Sequence, residues 1–272
     1  MEPVGYRPRQ KKRTKRCVVL IVLLLIIVLG VALGLALSRR TETFKTTFMD
    51  RCKKFEGNDC EKIWAAFQQA YVGKDPCKVP MEAYDPLIKA APFKPSCNRM
   101  MFWSKTKDVA HDFTDKRDCF VTLEDTLLGS VLDGLTWCGK EGSNETFTSD
   151  CPEWADCDDN TVRSFWSRVS AAFAEVACGD ATAMLNGSIA TPFSQYSIFG
   201  SIEVKRFNSA NMRSLNVVLV TQENNVSNCS NASLKDLQKE LDKGIKYNCK
   251  EVSEAQIQAC SSNTEIPCHA CW

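Results

Sequence analysis

Histidine is almost missing from this 272-residue chain, which has only His111 and His269. Such scarcity gives no basis for a Ser-His-Asp relay, and His111, within Lys107–Thr114, reads as a hydrogen-bonded structural residue rather than a catalytic base. No Cys-x-x-Cys spacing is repeated. The single Cys268-x-x-Cys271 stands at the C-terminus, so neither structural zinc nor any other metal site is supported. An internal repeat is also lacking. Basic charge is missing where a nucleic-acid surface would need it: net charge is +1, the first sixteen residues carry +6, and about −5 is left for the rest. Residues 18–37 hold no charged or polar side chain at all.

That last absence decides the topology expected. At about 1.5 Å of rise per residue, the stretch spans roughly 30 Å, the thickness of a bilayer core. Seven Lys or Arg precede it within residues 1–16, and only Arg39 and Arg40 follow closely. The positive-inside bias then keeps the N-terminus cytoplasmic and exports the remainder. A cleaved signal peptide ending near Ala36-Leu37-Ser38 is the rival, but its apolar core would exceed the usual ~7–15 residues. The expected layout is a cytoplasmic tail over 1–16, a transmembrane helix over 17–37, a polar stem over 38–51 and an extracellular domain over 52–272. The protein would therefore sit in the plasma membrane as a single-pass type II chain.

Cysteine usage agrees with export. Of fifteen cysteines, fourteen fall between Cys52 and Cys271, an even number that reads as a disulfide framework. Asn-x-Ser/Thr sequons begin at Asn144, Asn186, Asn225, Asn228 and Asn231, three of them clustered as in an exposed, glycan-bearing loop.

The stretch from Cys52 to about Ala183 is mostly helical in pattern. Thr122-x-x-Asp125 is a capping box, which predicts a helix from Thr122 through Leu135. A second helix is expected over Val162–Ala177. Residues 138–160 between them are rich in turn residues and cysteine. Gly200–Phe207 alternates and Leu215–Val220 is rich in β-branched residues, so both read as strands. Helix returns over 233–247. The fold class is α+β: a helical N-terminal half and a C-terminal half with a small sheet flanked by helices.

A few side chains stand where they could carry chemistry. Trp103-Ser104-Lys105 follows an apolar run. Glu124 falls in the first turn of the capped helix, and Trp166 and Ser170 share a helical face. Glu203 falls in the strand after Phe199-Gly200-Ser201. Each has a plainer explanation: tryptophan as core, Glu124 and Asp125 as partners of a helix dipole, Glu203 as the solvent side of an alternating strand.

Their order in the chain adds to this. FWSK (102–105), KDVAHDFT (107–114), TLEDTLLG (122–129), LTWCG (135–139), FWSRVSAAFAE (165–175), MLNGS (184–188) and FGSIEV (199–204) together resemble the ADP-ribosyl cyclase/cyclic ADP-ribose hydrolase family. Within it they are most similar to the vertebrate type II NAD glycohydrolases of the lymphocyte surface, across residues 52–268. The resemblance implies an ectoenzyme that cleaves NAD, forms and hydrolyses cyclic ADP-ribose, exchanges bases on NADP and feeds calcium signalling. It implies no cofactor beyond the substrate. A homodimer and surface-protein ligands are among the partners it implies. The alternatives are a receptor or adhesion module on the same fold with weakened catalysis, and a disulfide-rich binding module without enzymatic activity.

Residue by residue, the resemblance makes Glu203 the catalytic glutamate and Glu124 the acid that balances cyclisation against hydrolysis, with Asp125 beside it. Trp166 becomes a stacking wall and Trp103 a second one. Ser104, Lys105 and Phe199 fall on the phosphate side, and Ser170 and Asp133 in the pocket. Cys97 and Cys178 join the catalytic set as a pair. The implied disulfides are Cys52–Cys60, Cys77–Cys157, Cys97–Cys178, Cys138–Cys151, Cys229–Cys249 and Cys260–Cys268. Cys119 and Cys271 are left over, and a seventh bond between them is expected. Three positions depart from the family: Lys105 replaces arginine and loses a bidentate fork, Ile198 replaces threonine, and Gly134 replaces a second acid after Asp133.

Overall fold

The computed structural model describes residue 26, residues 43–222 and residues 226–272. The chain divides into two units, Met1–Thr46 and Thr47–Trp272. Of the first, only Ile26 and the helical residues 43–46 are described. Apart from Ile26, the expected span over 18–37 lies outside the described residues, among which no helix is long and apolar enough to cross a membrane.

In the second unit the helical part is built on aromatic residues. Helix α1 (Cys60–Tyr71) starts at Asp59, whose carboxylate accepts the Lys62 amide at 3.0 Å. It buries Ile63, Trp64, Phe67, Ala70 and Tyr71 on one face, the stripe that helical periodicity requires. Phe67 is the hub, with ring centroids of Phe48, Tyr71, Tyr84, Trp137 and Phe165 all between 4.9 and 6.4 Å away. Two polar atoms in this core are satisfied: Tyr84 donates to the Thr161 carbonyl at 3.0 Å and accepts the Trp137 indole proton at 3.2 Å. The short helix α2 (Asp85–Ala90) completes this side.

The sheet has four parallel strands in the order β1 (Met101–Ser104), β2 (Gly179–Asn186), β3 (Met212–Thr221) and β4 (Lys246–Ser253). β2 and β3 are buried along most of their length, over residues 181–185 and over residues 215–221 apart from Asn216, as expected of inner strands covered on both faces. α3 (Lys107–Lys116), α4 (Leu127–Leu132) and α5 (Thr161–Glu175) all lie between β1 and β2 in sequence, α6 (Ala232–Glu240) links β3 to β4, and α7 (Glu254–Ser262) follows β4. The mixed helix and sheet class stands, but the edge strand β1 comes from the part read as helical, so the halves interleave. Met101, Ala110, Phe113, Met184, Val218 and Ile257 form a core cluster, against which Phe120 and Trp272 pack.

Several boundaries move. The Thr122–Asp125 box forms, with both the Thr122 amide and hydroxyl 2.8 Å from Asp125 Oδ2, but it closes a turn. The helix itself begins at Leu127, capped by Thr126, and ends at Leu132. α5 nearly fills its expected range, and the helix expected over 233–247 already ends at Glu240, with β4 starting at Lys246. The expected strand over 200–207 is helical instead: a π-turn over Phe199–Glu203 runs into a 3-10 turn over Val204–Arg206. Ser197 explains part of this, since its hydroxyl accepts the Gly200 amide at 3.1 Å. A Cβ at Gly200 would lie 2.2 Å from the Ser194 carbonyl, so the turn also depends on glycine.

Seven disulfides staple the unit. Five follow the expectation: Cys52–Cys60, Cys77–Cys157, Cys97–Cys178, Cys138–Cys151 and Cys229–Cys249. The other four cysteines pair differently. The structure joins Cys119 to Cys268 and Cys260 to Cys271, correcting the expected Cys260–Cys268 and Cys119–Cys271. Arg117 accounts for the exchange. It is buried and donates to the carbonyls of Cys260 (2.6 Å), Asn263 (2.7 Å) and Ile266, so the tail wraps around its guanidinium. That brings Cys268 beside the segment of Cys119 and returns Cys271 onto α7, where Gln256 donates to its carbonyl at 2.9 Å.

Candidate active site

Along β1 and the residue after it lies a cleft of about 560 Å³. β1 and the residue after it supply Trp103, Ser104 and Lys105. α5 supplies Trp166, Ser170 and Phe173, and the π-turn supplies Phe199 and Glu203. Glu124 comes from the capping-box turn, Asp133 and Gly134 from the end of α4, and Trp154 from the cysteine-rich loop.

Glu203 is buried, 6% exposed, and its carboxyl is hydrogen-bonded by Ser170. Burial pushes its pKa up to about 8. The Ser170 bond opposes the rise, and the negative charge of Glu124 adds to it. The helical backbone that overturned the strand reading also removes the plainer explanation, a solvent-facing glutamate.

Glu124 is held from two sides. Trp103 Nε1 donates to its Oε2 at 3.1 Å, and His111 Nε2 lies 3.3 Å from the same oxygen. Burial would raise its pKa, but these two partners outweigh it and hold the carboxyl below the ordinary range. Because the helix starts only at Leu127, Glu124 is no dipole partner in a first turn, as its sequence position suggested.

Asp133 lies at the rim, ion-paired with Lys107 at 2.8 Å, while its carbonyl accepts Arg51 Nη1 at 2.7 Å. Lys105 takes a left-handed backbone, φ 58°, and its carbonyl accepts Asn186 Nδ2 at 3.2 Å. The departures at Ile198 and Gly134 both line the cleft. Asp125 does not; its carboxylate is taken up by Thr122. Nor do Cys97 and Cys178, which are bonded to each other near the opposite ends of β1 and β2.

Sequence reasoning missed Trp154, Lys107, Phe173 and Ser197 as cleft residues. Trp154 had a signal: it is a tryptophan in a polar, turn-rich loop with no apolar period to explain it, and it remains 45% exposed. Three tryptophans thus wall one cavity that has a buried carboxyl at one side. Among the described residues, no group of three His, Cys, Asp or Glu is placed to hold a metal ion.

The family model described as ADP-ribosyl cyclase matches residues 41–269. ADP-ribosyl cyclase/cyclic ADP-ribose hydrolase 1 of Mus musculus is 35% identical over 240 residues, which is 84% of this chain and 79% of that protein. Porcine CD38 in complex with a covalent intermediate, ribo-F-ribose-5'-phosphate, superposes with a TM-score of 0.73 at 37% identity, covering 77% of this chain and 96% of that one. Aplysia cyclase in complex with substrate NGD and product cGDPR gives a TM-score of 0.74 at 28% identity, over 84% and 96% of the two chains.

Proposed function

Because the chain belongs to the ADP-ribosyl cyclase family, we propose that its cleft breaks the nicotinamide–ribose bond of NAD, releasing ADP-ribose and, in part, cyclic ADP-ribose. The chief support is one buried carboxyl, Glu203, beside a cavity walled by Trp103, Trp154 and Trp166.

The chemistry suits that arrangement. Nicotinamide in NAD is a cationic pyridinium, so it departs with the C1′–N electron pair as a neutral molecule and needs no proton donor. What the site must supply is negative charge against the oxocarbenium-like ribose, aimed in advance and shielded from water. Glu203 fits that role. In the empty cleft its raised pKa keeps it largely protonated at neutral pH, and the arriving cation favours the ionised form. A carboxylate so placed either stabilises C1′ electrostatically or bonds to it, and the covalent intermediate of the porcine relative fits the second course.

Trp103 and Trp166 hold the nicotinamide and adenine rings, with Trp154 as a further wall. Ser104, Lys105 and Phe199 lie toward the pyrophosphate. The product depends on what attacks C1′ next. Water adds its oxygen and gives up a proton to yield ADP-ribose, whereas adenine N1 of the same molecule closes the ring of cyclic ADP-ribose. Glu124, at the nicotinamide end, governs that choice. Cyclic ADP-ribose re-enters the same cleft for hydrolysis. The catalytic unit is exported, anchored through residues 17–37 with the N-terminus in the cytoplasm.

The test is chromatography of products after incubating the detergent-purified full chain with NAD. Nicotinamide and ADP-ribose with a minor share of cyclic ADP-ribose are expected. An intact NAD pool would favour a receptor without catalysis.

A further inference from the structure

His111 lies behind the cleft rather than in it. It does not line the cavity, yet it touches two residues that do. Its ring meets that of Trp103 edge-on, with centroids 5.7 Å apart and planes at 88°. Its Nε2 approaches the Glu124 oxygen that also takes the Trp103 indole proton. The two side chains are 21% and 11% exposed, so little water screens the contact. At 3.3 Å the contact falls outside hydrogen-bond geometry, and it is an ion pair when the imidazole carries its proton.

The charged groups facing this imidazole come from three elements. Glu124 in the capping-box turn favours its protonated form, as does Asp133 at the end of α4, while Lys107, one turn back on α3, opposes it. Lys107 and Asp133 are bound to each other, so their influences largely cancel and Glu124 dominates. β1 contributes only the neutral Trp103.

We propose that His111 is a positioning residue for the partition of products. By clamping Glu124 against Trp103 it fixes the wall that lets water, rather than adenine, reach C1′. The proposal rests on the reading that the cleft cleaves NAD and that Glu124 governs the second step.

The clamp is a titrating device. Burial alone would lower the His111 pKa, but the Glu124 partner raises it above the ordinary value. Below that raised midpoint the clamp is complete. As pH rises through it, the imidazole loses its charge and Glu124 is held by Trp103 alone. Glu124 stays ionised throughout, since its own pKa is held low. The cyclic share of the products therefore rises with pH.

The experiment measures the ratio of cyclic ADP-ribose to ADP-ribose made from NAD by the full chain between about pH 5 and 8, the range in which histidine titrates. His111→Phe keeps an aromatic edge against Trp103 and removes the charge. Its ratio should shift severalfold toward the cyclic product and no longer depend on pH. His111→Gln keeps a polar side chain there but no charge, so its ratio should be independent of pH and lie at the alkaline-side wild-type value. A folded His111→Phe protein with the wild-type ratio and pH dependence overturns the proposal. A second readout needs no turnover: the NMR titration midpoint of the His111 ring should fall in Glu124→Gln, and an unchanged midpoint counts equally against the clamp. If the wild type consumes no NAD, it is the cleavage reading that fails, and the NMR titration still reports on the clamp.

Discussion

Glu203 shows at the scale of one residue how the site is maintained against stability. An exposed glutamate titrates near 4.5, and in the folded chain this one is pushed up to about 8. The sign follows directly. Below the unfolded value the carboxyl is protonated in both states and the shift costs nothing. As pH rises toward 8, the unfolded chain gains by ionising and the folded chain does not, so stability is lost, on the order of 3 kcal/mol by pH 7. Glu203→Gln removes the titration. Thermal denaturation should show that variant melting several degrees above wild type at pH 7 but level with it at pH 4. An equal gap at both pH values would mean that Glu203 is not held as a buried acid. The proposed role could not be read from this residue alone, because FGSIEV alternates like a strand and only the π-turn takes its glutamate out of solvent.

The element that organises the cleft is α5 together with the loop before it. Asn160 caps the helix by accepting the amides of Val162 at 2.9 Å and Arg163 at 3.1 Å. Its amide group donates to the carbonyls of Pro152 and Glu153, both at 2.9 Å, which ties the loop of Trp154 to the helix of Trp166. Asn160→Ala should cost about 1–2 kcal/mol from the cap alone. It should also raise KM for NAD more than it lowers kcat, because one aromatic wall loses its anchor. A destabilised variant with unchanged KM would show that Trp154 does not contribute to binding. The amphipathic stripe made α5 legible in the sequence to within two residues, and the β-branched run placed β3 to within three. β1 was not legible, since four residues are too few for a period. Nor was the late start of α4, since the same Thr-x-x-Asp pattern closes a turn as readily as it opens a helix.

For the whole molecule, the ordered motifs carried more than any periodicity did. They brought Trp103, Glu124, Trp166, Ser170 and Glu203 together as candidates, and the fold sets all five around one cavity although 100 residues separate the first from the last. Five disulfides followed the same resemblance. Cys119, Cys260, Cys268 and Cys271 did not, because their pairing is decided by how the tail wraps around Arg117, a long-range contact with no local sequence mark. The whole fold thus converges on one buried carboxyl among aromatic walls. The most direct test of its role is nicotinamide release from NAD by the Glu203→Gln full chain, compared with wild type at saturating substrate. Release should fall about a hundredfold or more, as when other charge-stabilising groups are removed, with ADP-ribose and cyclic ADP-ribose falling together. A folded Glu203→Gln protein that releases nicotinamide at the wild-type rate would contradict the account.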